Sequence, residues 1–387
     1  MAHGSGPSGA PPGSAHNPWL DLLRSLAIVL VLLRHGHRSA LNEFGLASGP
    51  AGNAMLNGWV GVDLFLVLSG YLIGRQLLRG LQDTAAFDWP AYLMRRGFRI
   101  VPSYVAVLAL VMLGAFPLYV FPREALAFRG FYHLLLLQDY LPPNISIVFW
   151  TLGVEEKFYL VAPLLIALCL RAGPLRTRLM ILALVFVASP LLRALTLAGT
   201  PLPLDYPTYF HGFRRPFHAC LEPLAAGVAI ALAERAGGLS RFASSSGAIL
   251  ASAALALLIW LASHDLLAHI VAFDVVLQPA LIALLCAAMV LGAVLSARRP
   301  LPFAPAAQML ATLSYTLYLV HFPLIPLAMA LGKTTPHPLA GFWVAYLGLS
   351  TLAAIALHLA VERPFLNYRD RLGATSAAAR APEGQPR

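Results

Sequence analysis

The 387-residue chain is 59% hydrophobic and only 11% charged, with a mean hydropathy of +0.72, which excludes a soluble globular domain and marks a polytopic membrane protein. Its formal net charge of +10 comes almost wholly from arginine, since Lys157 and Lys333 are the only lysines. That charge follows the loops between apolar runs instead of forming one basic patch, so lipid is the expected surrounding and no nucleic-acid partner is expected.

Residues 1–16 are a Gly/Ser/Pro/Ala run without the basic, apolar and cleavage regions of a signal peptide, and read as a disordered lead-in. Residues 17–371 form the expected membrane domain, and residues 372–387 an expected disordered tail. Apolar runs of spanning length predict an all-α bundle of about ten transmembrane helices, at residues 19–39, 58–78, 100–121, 149–170, 179–197, 217–232, 248–263, 275–295, 309–331 and 341–361. Residues 131–141 are apolar but too short to cross, and read as a re-entrant or interfacial segment.

Assigning the loops alternately gathers Arg75, Arg79, Arg95, Arg96 and Arg99 on one side, followed there by Arg171, Arg176, Arg178, Arg235, Arg241, Arg298 and Arg299. The positive-inside rule makes that side cytoplasmic and puts both termini on it. Attraction to anionic headgroups accounts for most of these arginines without any catalytic role. Cys169, Cys220 and Cys286 have neither metal-ligand nor redox spacing and read as small packed hydrophobes, so no metal site is expected. The chain has no internal repeat of the kind from which transporters with inverted halves are built.

In the first span Arg24 and His35 stand eleven residues apart. At about 100° per residue, eleven steps come within roughly 20° of whole turns, so both side chains project from one face about 16 Å apart along the axis. An arginine near one surface and an imidazole deep on the same stripe predict one continuous polar path, because ionisable residues inside a span are functional candidates. His37 points about 200° away from His35 and is the weaker candidate. Arg34 and Arg38 lie at the non-cytoplasmic end, against the local charge rule, where they suit a polar or anionic ligand.

Five segments stand out together: Leu20-Asp21-Leu22-Leu23-Arg24 running to His35; Gly61-Val62-Asp63-Leu64-Phe65 through Ser69-Gly70-Tyr71; Arg95-Arg96-Gly97-Phe98-Arg99-Ile100-Val101-Pro102; Phe149-Trp150-Thr151-Leu152-Gly153-Val154-Glu155-Glu156-Lys157-Phe158-Tyr159; and Leu313-Ser314-Tyr315-Thr316-Leu317-Tyr318-Leu319-Val320-His321-Phe322-Pro323. In order and character they resemble the acyltransferase-3 family of integral-membrane O-acyltransferases. The resemblance runs from about Trp19 to Pro364. It implies about ten membrane helices and transfer of an acetyl or other short acyl group from a cytoplasmic coenzyme A thioester to a hydroxyl, often on a sugar. It also implies that His35 matches the family histidine proposed to take the acceptor's proton, and that Glu155 matches the more specific of two acidic positions.

The chemistry of the residues agrees with that implication. Attack by a neutral hydroxyl needs a base working near neutral pH, and histidine's ordinary pKa lies closest, which favours His35 over a buried structural histidine. Arg24 is the expected supplier of positive charge to the oxyanion. Glu155 needs a partner in an apolar run and is expected either to orient His35, to pair with Arg24, or to form a structural ion pair. Asp63 either pairs with an arginine, fixes the histidine tautomer or clamps two helices; Glu156 points about 100° from Glu155, toward Lys157's side.

For coenzyme A, Arg95, Arg96 and Arg99 at the cytoplasmic entrance to the third span suit phosphate oxygens, with Ser69 and Gly70 allowing close approach of a ligand or a helix. The expected acceptor side holds Asp63, Arg34, Tyr159 and the stripe Ser314, Tyr318 and His321, for which an interhelical hydrogen-bond seam is the competing account. His358 and Glu362 read as a structural pair. No serine or cysteine has the neighbours of an activated nucleophile, so direct transfer without an acyl-enzyme is expected. No appended hydrolase-like domain is read in the chain, so a relay would use another protein.

The co-substrate is thus expected to be acetyl-CoA or another acyl-CoA, with no permanently bound cofactor, and the acceptor a carbohydrate, glycolipid or glycosylated small molecule. Use of arginine, alanine, glycine and proline is consistent with a GC-rich bacterial genome, and the expected location is the bacterial inner membrane. The rival reading is a secondary transporter or flippase that forms no covalent bond. The sequence leaves the acceptor, the acyl length and the oligomeric state open.

Overall fold

The computed structural model describes residues 16–46, 49–83 and 87–379. All of the expected lead-in except His16 lies outside the described residues, as do residues 380–387 of the expected tail. Regular structure among the described residues is helical, apart from one isolated antiparallel bridge between Leu204 and Ile270.

The long helices are α1 (Pro18–Phe44), α2 (Val60–Asp83), α3 (Trp89–Met112), α4 (Trp150–Arg171), α5 (Leu175–Leu197), α6 (Leu221–Arg235), α7 (Ser246–Ser263), α8 (Gln278–Leu295), α9 (Ala304–Lys333), α10 (Pro338–Leu357) and α11 (Arg363–Ala379). Each predicted span falls on one of the first ten. Six described stretches are long and apolar enough to cross a membrane: Pro50–Leu81, Leu175–Leu197, Ser246–Ser263, Gln278–Leu295, Ala304–Lys333 and Pro338–Leu372. The protein is therefore a multi-pass, all-helical integral membrane protein.

Local chemistry sets the helix ends. Asn17 caps α1 by accepting from Trp19 N at 3.0 Å, with Pro18 at the first turn, and Gly45 closes the helix in the left-handed region at φ +60°. The third predicted span is displaced. Asp88 caps α3 by accepting from Ala91 N at 3.0 Å, which starts the helix eleven residues before the predicted 100. It stops at Met112 and not at 121, because Gly114 turns left-handed at φ +76° and the Ala115 N–H reaches back to Leu110 O at 2.9 Å.

Residues 131–141 are half helix and half turn: the short helix Leu126–Leu134 ends in turns that carry the chain toward α4. Lys157 of α4 anchors these turns, donating to Leu136 O at 2.9 Å and to Asp139 Oδ1 at 2.6 Å. The His358–Glu362 pair forms at 2.8 Å within a π-helical turn that links α10 to α11.

α1 packs against α2 and α9, α2 also against α6, and α9 against α10. The α2–α6 crossing is backbone to backbone. A Cβ at Gly70 would fall 2.3 Å from Leu224 O, and one at Gly227 would fall 2.2 Å from Val67 O, so only glycine fits at either position. This close approach aligns α2 beside α1 and α4, whose facing sides enclose the polar interior.

Candidate active site

A cavity of about 420 Å³ opens among α1, α2, α3, α4 and α9 at the arginine-rich end. Arg24, Arg96 and Arg99 supply its positive charge and Glu155 its carboxylate. Ser69 donates to Glu155 Oε1 at 3.2 Å and the Tyr159 hydroxyl donates to Oε2 at 3.1 Å, so both carboxylate oxygens are held by neutral donors. The Arg96 guanidinium bonds Gln76 and lies over the Tyr159 ring, 5.3 Å from its centroid. Phe65, Leu66, Leu72 and Leu152 make the rest of the wall apolar. Arginines and hydrocarbon in one cavity wall suit a ligand with a charged head and a largely apolar arm.

His35 belongs to different space. It lines a narrow cavity of about 60 Å³ and a wider one of about 190 Å³, which share Arg34, Ile147, Tyr206 and Leu267 in their walls and so form one stepped recess. Arg34 donates to Leu56 O at 2.6 Å and lies over the Tyr206 ring at 6.0 Å. Tyr206 in turn stacks on Phe210, with centroids 5.8 Å and planes 18° apart. Arg38 and Asp265 line the wider part. Flat aromatic faces beside charged side chains suit a ligand with one apolar face and a polar rim.

The two spaces meet at Val62 and Tyr318, which line both the arginine-rich cavity and the narrow part of the His35 recess. Tyr318 is fixed there: its hydroxyl donates to Val148 O at 2.7 Å and accepts from Thr151 Oγ1 at 2.8 Å. The single continuous path expected from the Arg24–His35 spacing is thus two cavities divided by a thin partition.

Several expected neighbours are separated by this arrangement. Glu155 lines the cavity of Arg24 and is not among the residues lining the His35 recess. Arg95 is exposed and off the cavity, because α3 already includes residues 95–99 and consecutive helical residues diverge by about 100°. Gly70, expected to allow close approach of a ligand or a helix, makes the helix contact, against α6. Asp63 is 1% exposed and faces Arg214 in a two-pronged ion pair, so its oxygens are engaged by protein. Glu156 turns away from the cavity and its buried Oε1 has no hydrogen-bond partner among the described residues.

Of the α9 stripe, Ser314 lines the arginine-rich cavity and donates to Ala311 O, Tyr318 forms the partition, and His321 is wholly buried behind His35, their ring centroids 5.3 Å apart. His37 is buried, and Tyr159 lies on the arginine-rich side.

Sequence reasoning missed Arg214, Tyr206, Tyr209 and Asp265. Arg214 lines the His35 recess, with the rings of Trp59 and Trp150 at 5.2 and 5.6 Å from its guanidinium. One signal was present: Arg214 and Arg215 sit in a loop on the less basic side, the same breach of the charge rule that marked Arg34 and Arg38.

Comparison with known proteins agrees with this architecture. The profile of the acyltransferase domain family matches residues 17–359. The peptidoglycan O-acetyltransferase OatA of Listeria monocytogenes is 28% identical over 161 residues, covering 38% of this chain and 23% of that protein. The putative peptidoglycan O-acetyltransferase YrhL of Bacillus subtilis is 30% identical over 179 residues, covering 42% and 25%. The regulator of hypoxia-inducible factor 1 of Caenorhabditis elegans is 27% identical over 174 residues, covering 38% and 34%. The chain thus spans about a quarter to a third of the length of these curated relatives. No solved structure matches it. With nearly its whole length matched by the profile and its helices enclosing a charged interior, the chain belongs to the acyltransferase-3 family.

Proposed function

We propose that the protein is a membrane O-acyltransferase that carries an acetyl or other short acyl group from acyl-coenzyme A to a hydroxyl of a carbohydrate or glycosylated acceptor. Ten helices cross the membrane in this reading, both chain ends lie on the arginine-rich cytoplasmic side, and the membrane is the bacterial inner membrane. The observation that carries the proposal is the pair of cavities meeting at Val62 and Tyr318. A donor entering from the arginine-rich end and an acceptor entering from the other end have one place to meet.

Arg96 and Arg99 match the phosphate oxygens of coenzyme A, while the apolar depth of the cavity suits the pantetheine arm and acyl group. His35 takes the proton of the acceptor hydroxyl as its oxygen attacks the thioester carbon. Arg24 lines the donor cavity about 16 Å along α1 from His35, so its positive charge serves the anionic groups of the donor and not the oxyanion that forms beside His35. Collapse breaks the carbon–sulfur bond, forms the ester and releases the coenzyme A thiolate, which takes up a proton. Relatives named as peptidoglycan O-acetyltransferases support a carbohydrate acceptor.

The test is purified protein in lipid nanodiscs with labelled acetyl-coenzyme A and a panel of glycans and glycosides. The expected result is free coenzyme A released in proportion to acceptor, abolished in His35→Ala. Movement of an acceptor across the bilayer with no coenzyme A released overturns the proposal in favour of a transporter.

A further inference from the structure

His321 is 0% exposed, and its Nδ1–H donates to Leu317 O at 3.0 Å. That bond fixes the tautomer: Nδ1 carries the proton, and Nε2 is a bare acceptor. Nε2 has no hydrogen-bond partner among the described residues. An orphaned buried acceptor costs about 1–3 kcal/mol, so its persistence calls for a donor within reach. The ring next to it is His35, with centroids 5.3 Å and planes 45° apart, and Phe322 closes the other side of His35 at 5.1 Å. The two rings share no hydrogen bond as they stand, and a turn of the His35 side chain that aims one ring N–H at Nε2 closes the gap between the nitrogens to roughly 3 Å at that separation.

We propose that His321 is the positioning residue of His35, accepting one of its ring N–H groups so that the other ring nitrogen stays bare toward the recess. The inference rests on the acyl-transfer reading above. A general base is oriented in most active sites by a carboxylate, and here Glu155 lies in the other cavity, bound by Ser69 and Tyr159. A second imidazole locked by a backbone carbonyl takes that place. When His35 accepts the acceptor's proton it becomes an imidazolium with two N–H groups. One faces the recess and the acceptor oxygen, and the other is held by His321, so the charged base keeps its orientation through the step.

Two substitutions separate this role from packing. His321→Asn keeps a donor at the Nδ1 position for Leu317 but withdraws the acceptor; His321→Gln keeps an acceptor at the Nε2 position. Thermal unfolding in detergent checks that both fold. The expected result is a kcat lower by about tenfold to hundredfold in His321→Asn, with KM for acetyl-coenzyme A unchanged and most of the rate recovered in His321→Gln. Carbethoxylation of His35 by diethyl pyrocarbonate, read by peptide mass spectrometry, reports the same orientation without acyl transfer: slower in His321→Asn, restored in His321→Gln. Equal kcat and equal carbethoxylation in wild type and His321→Asn overturn the inference, as does a His321→Gln enzyme as impaired as His321→Asn. A wild type that transfers nothing, yet shows the carbethoxylation contrast, keeps the inference about His35 orientation and removes the acyl-transfer reading instead.

Discussion

Asp63 and Arg214 lie 151 residues apart in the chain and meet in a two-pronged ion pair, Nη1 to Oδ1 at 2.9 Å and Nη2 to Oδ2 at 2.7 Å. The pair ties the turn that carries Tyr206, Tyr209 and Phe210 to α2, and so fixes one wall of the His35 recess. Removing one partner leaves a buried charge unpaired, which costs about 3–5 kcal/mol, whereas removing both at once costs far less. Asp63→Asn and Arg214→Met are each expected to lower the unfolding temperature in detergent strongly, and Asp63→Leu combined with Arg214→Met to recover much of it. A double variant whose loss equals the sum of the two single losses shows that the groups act independently.

Arg99 is the cavity arginine with the plainest expected role. A charge-assisted hydrogen bond to phosphate contributes about 1.5–3 kcal/mol, or roughly tenfold to a hundredfold in affinity. Arg99→Ala is therefore expected to raise KM for acetyl-coenzyme A by about that factor and to leave kcat within about twofold. Dephospho-coenzyme A and salt titration locate the lost contact. A fall in kcat with KM unchanged assigns Arg99 to the chemical step instead.

Gly70 separates packing from binding at the arginine-rich end. Its added Cβ meets the Leu224 carbonyl oxygen at 2.3 Å, and neither partner is a flexible side chain. Overpacking of this kind costs about 1–3 kcal/mol. Gly70→Ala should unfold at lower temperature with unchanged KM for acetyl-coenzyme A. A raised KM at unchanged stability would restore it to the ligand site.

Where the sequence was legible, the physics was local. The apolar runs fell on ten helices, six of the described stretches being long and apolar enough to cross a membrane, because apolarity is read one segment at a time, and the eleven-residue spacing of Arg24 and His35 is a property of one helix. The start of α3 was missed because a capping Asp88 outweighs hydropathy, and that shift turns Arg95 outward while Arg96 and Arg99 face the cavity. Partnerships across the bundle were not legible at all. Asp63 signalled a need for a partner but not Arg214, and Glu155 signalled the same need with three answers open, whereas the hydrogen bonds it forms come from Ser69 and Tyr159, which were not among them. Tyr206 and Asp265 lie in polar connections between spans, where neither periodicity nor apolarity marks a residue.

The partition at Val62 gives the sharpest test of how donor and acceptor meet. Val62 lines both cavities beside a Tyr318 locked by Val148 and Thr151, so α2 is the side on which the gap can be widened or closed without breaking those bonds. Widening it admits water to the thioester. Val62→Ala is expected to raise acceptor-independent release of coenzyme A relative to transfer, since hydroxide or water then competes with the acceptor hydroxyl. Val62→Phe closes the passage and is expected to cut transfer by at least about tenfold with KM for acetyl-coenzyme A unchanged, because a displacement of about 1 Å at the reacting centre already costs about a hundredfold. Both variants leave the arginines and the imidazole pair themselves unchanged, so an effect on transfer with KM for acetyl-coenzyme A unaltered points to the partition. If the acyl group instead passed to the acceptor outside the bundle, neither substitution would alter the ratio of hydrolysis to transfer.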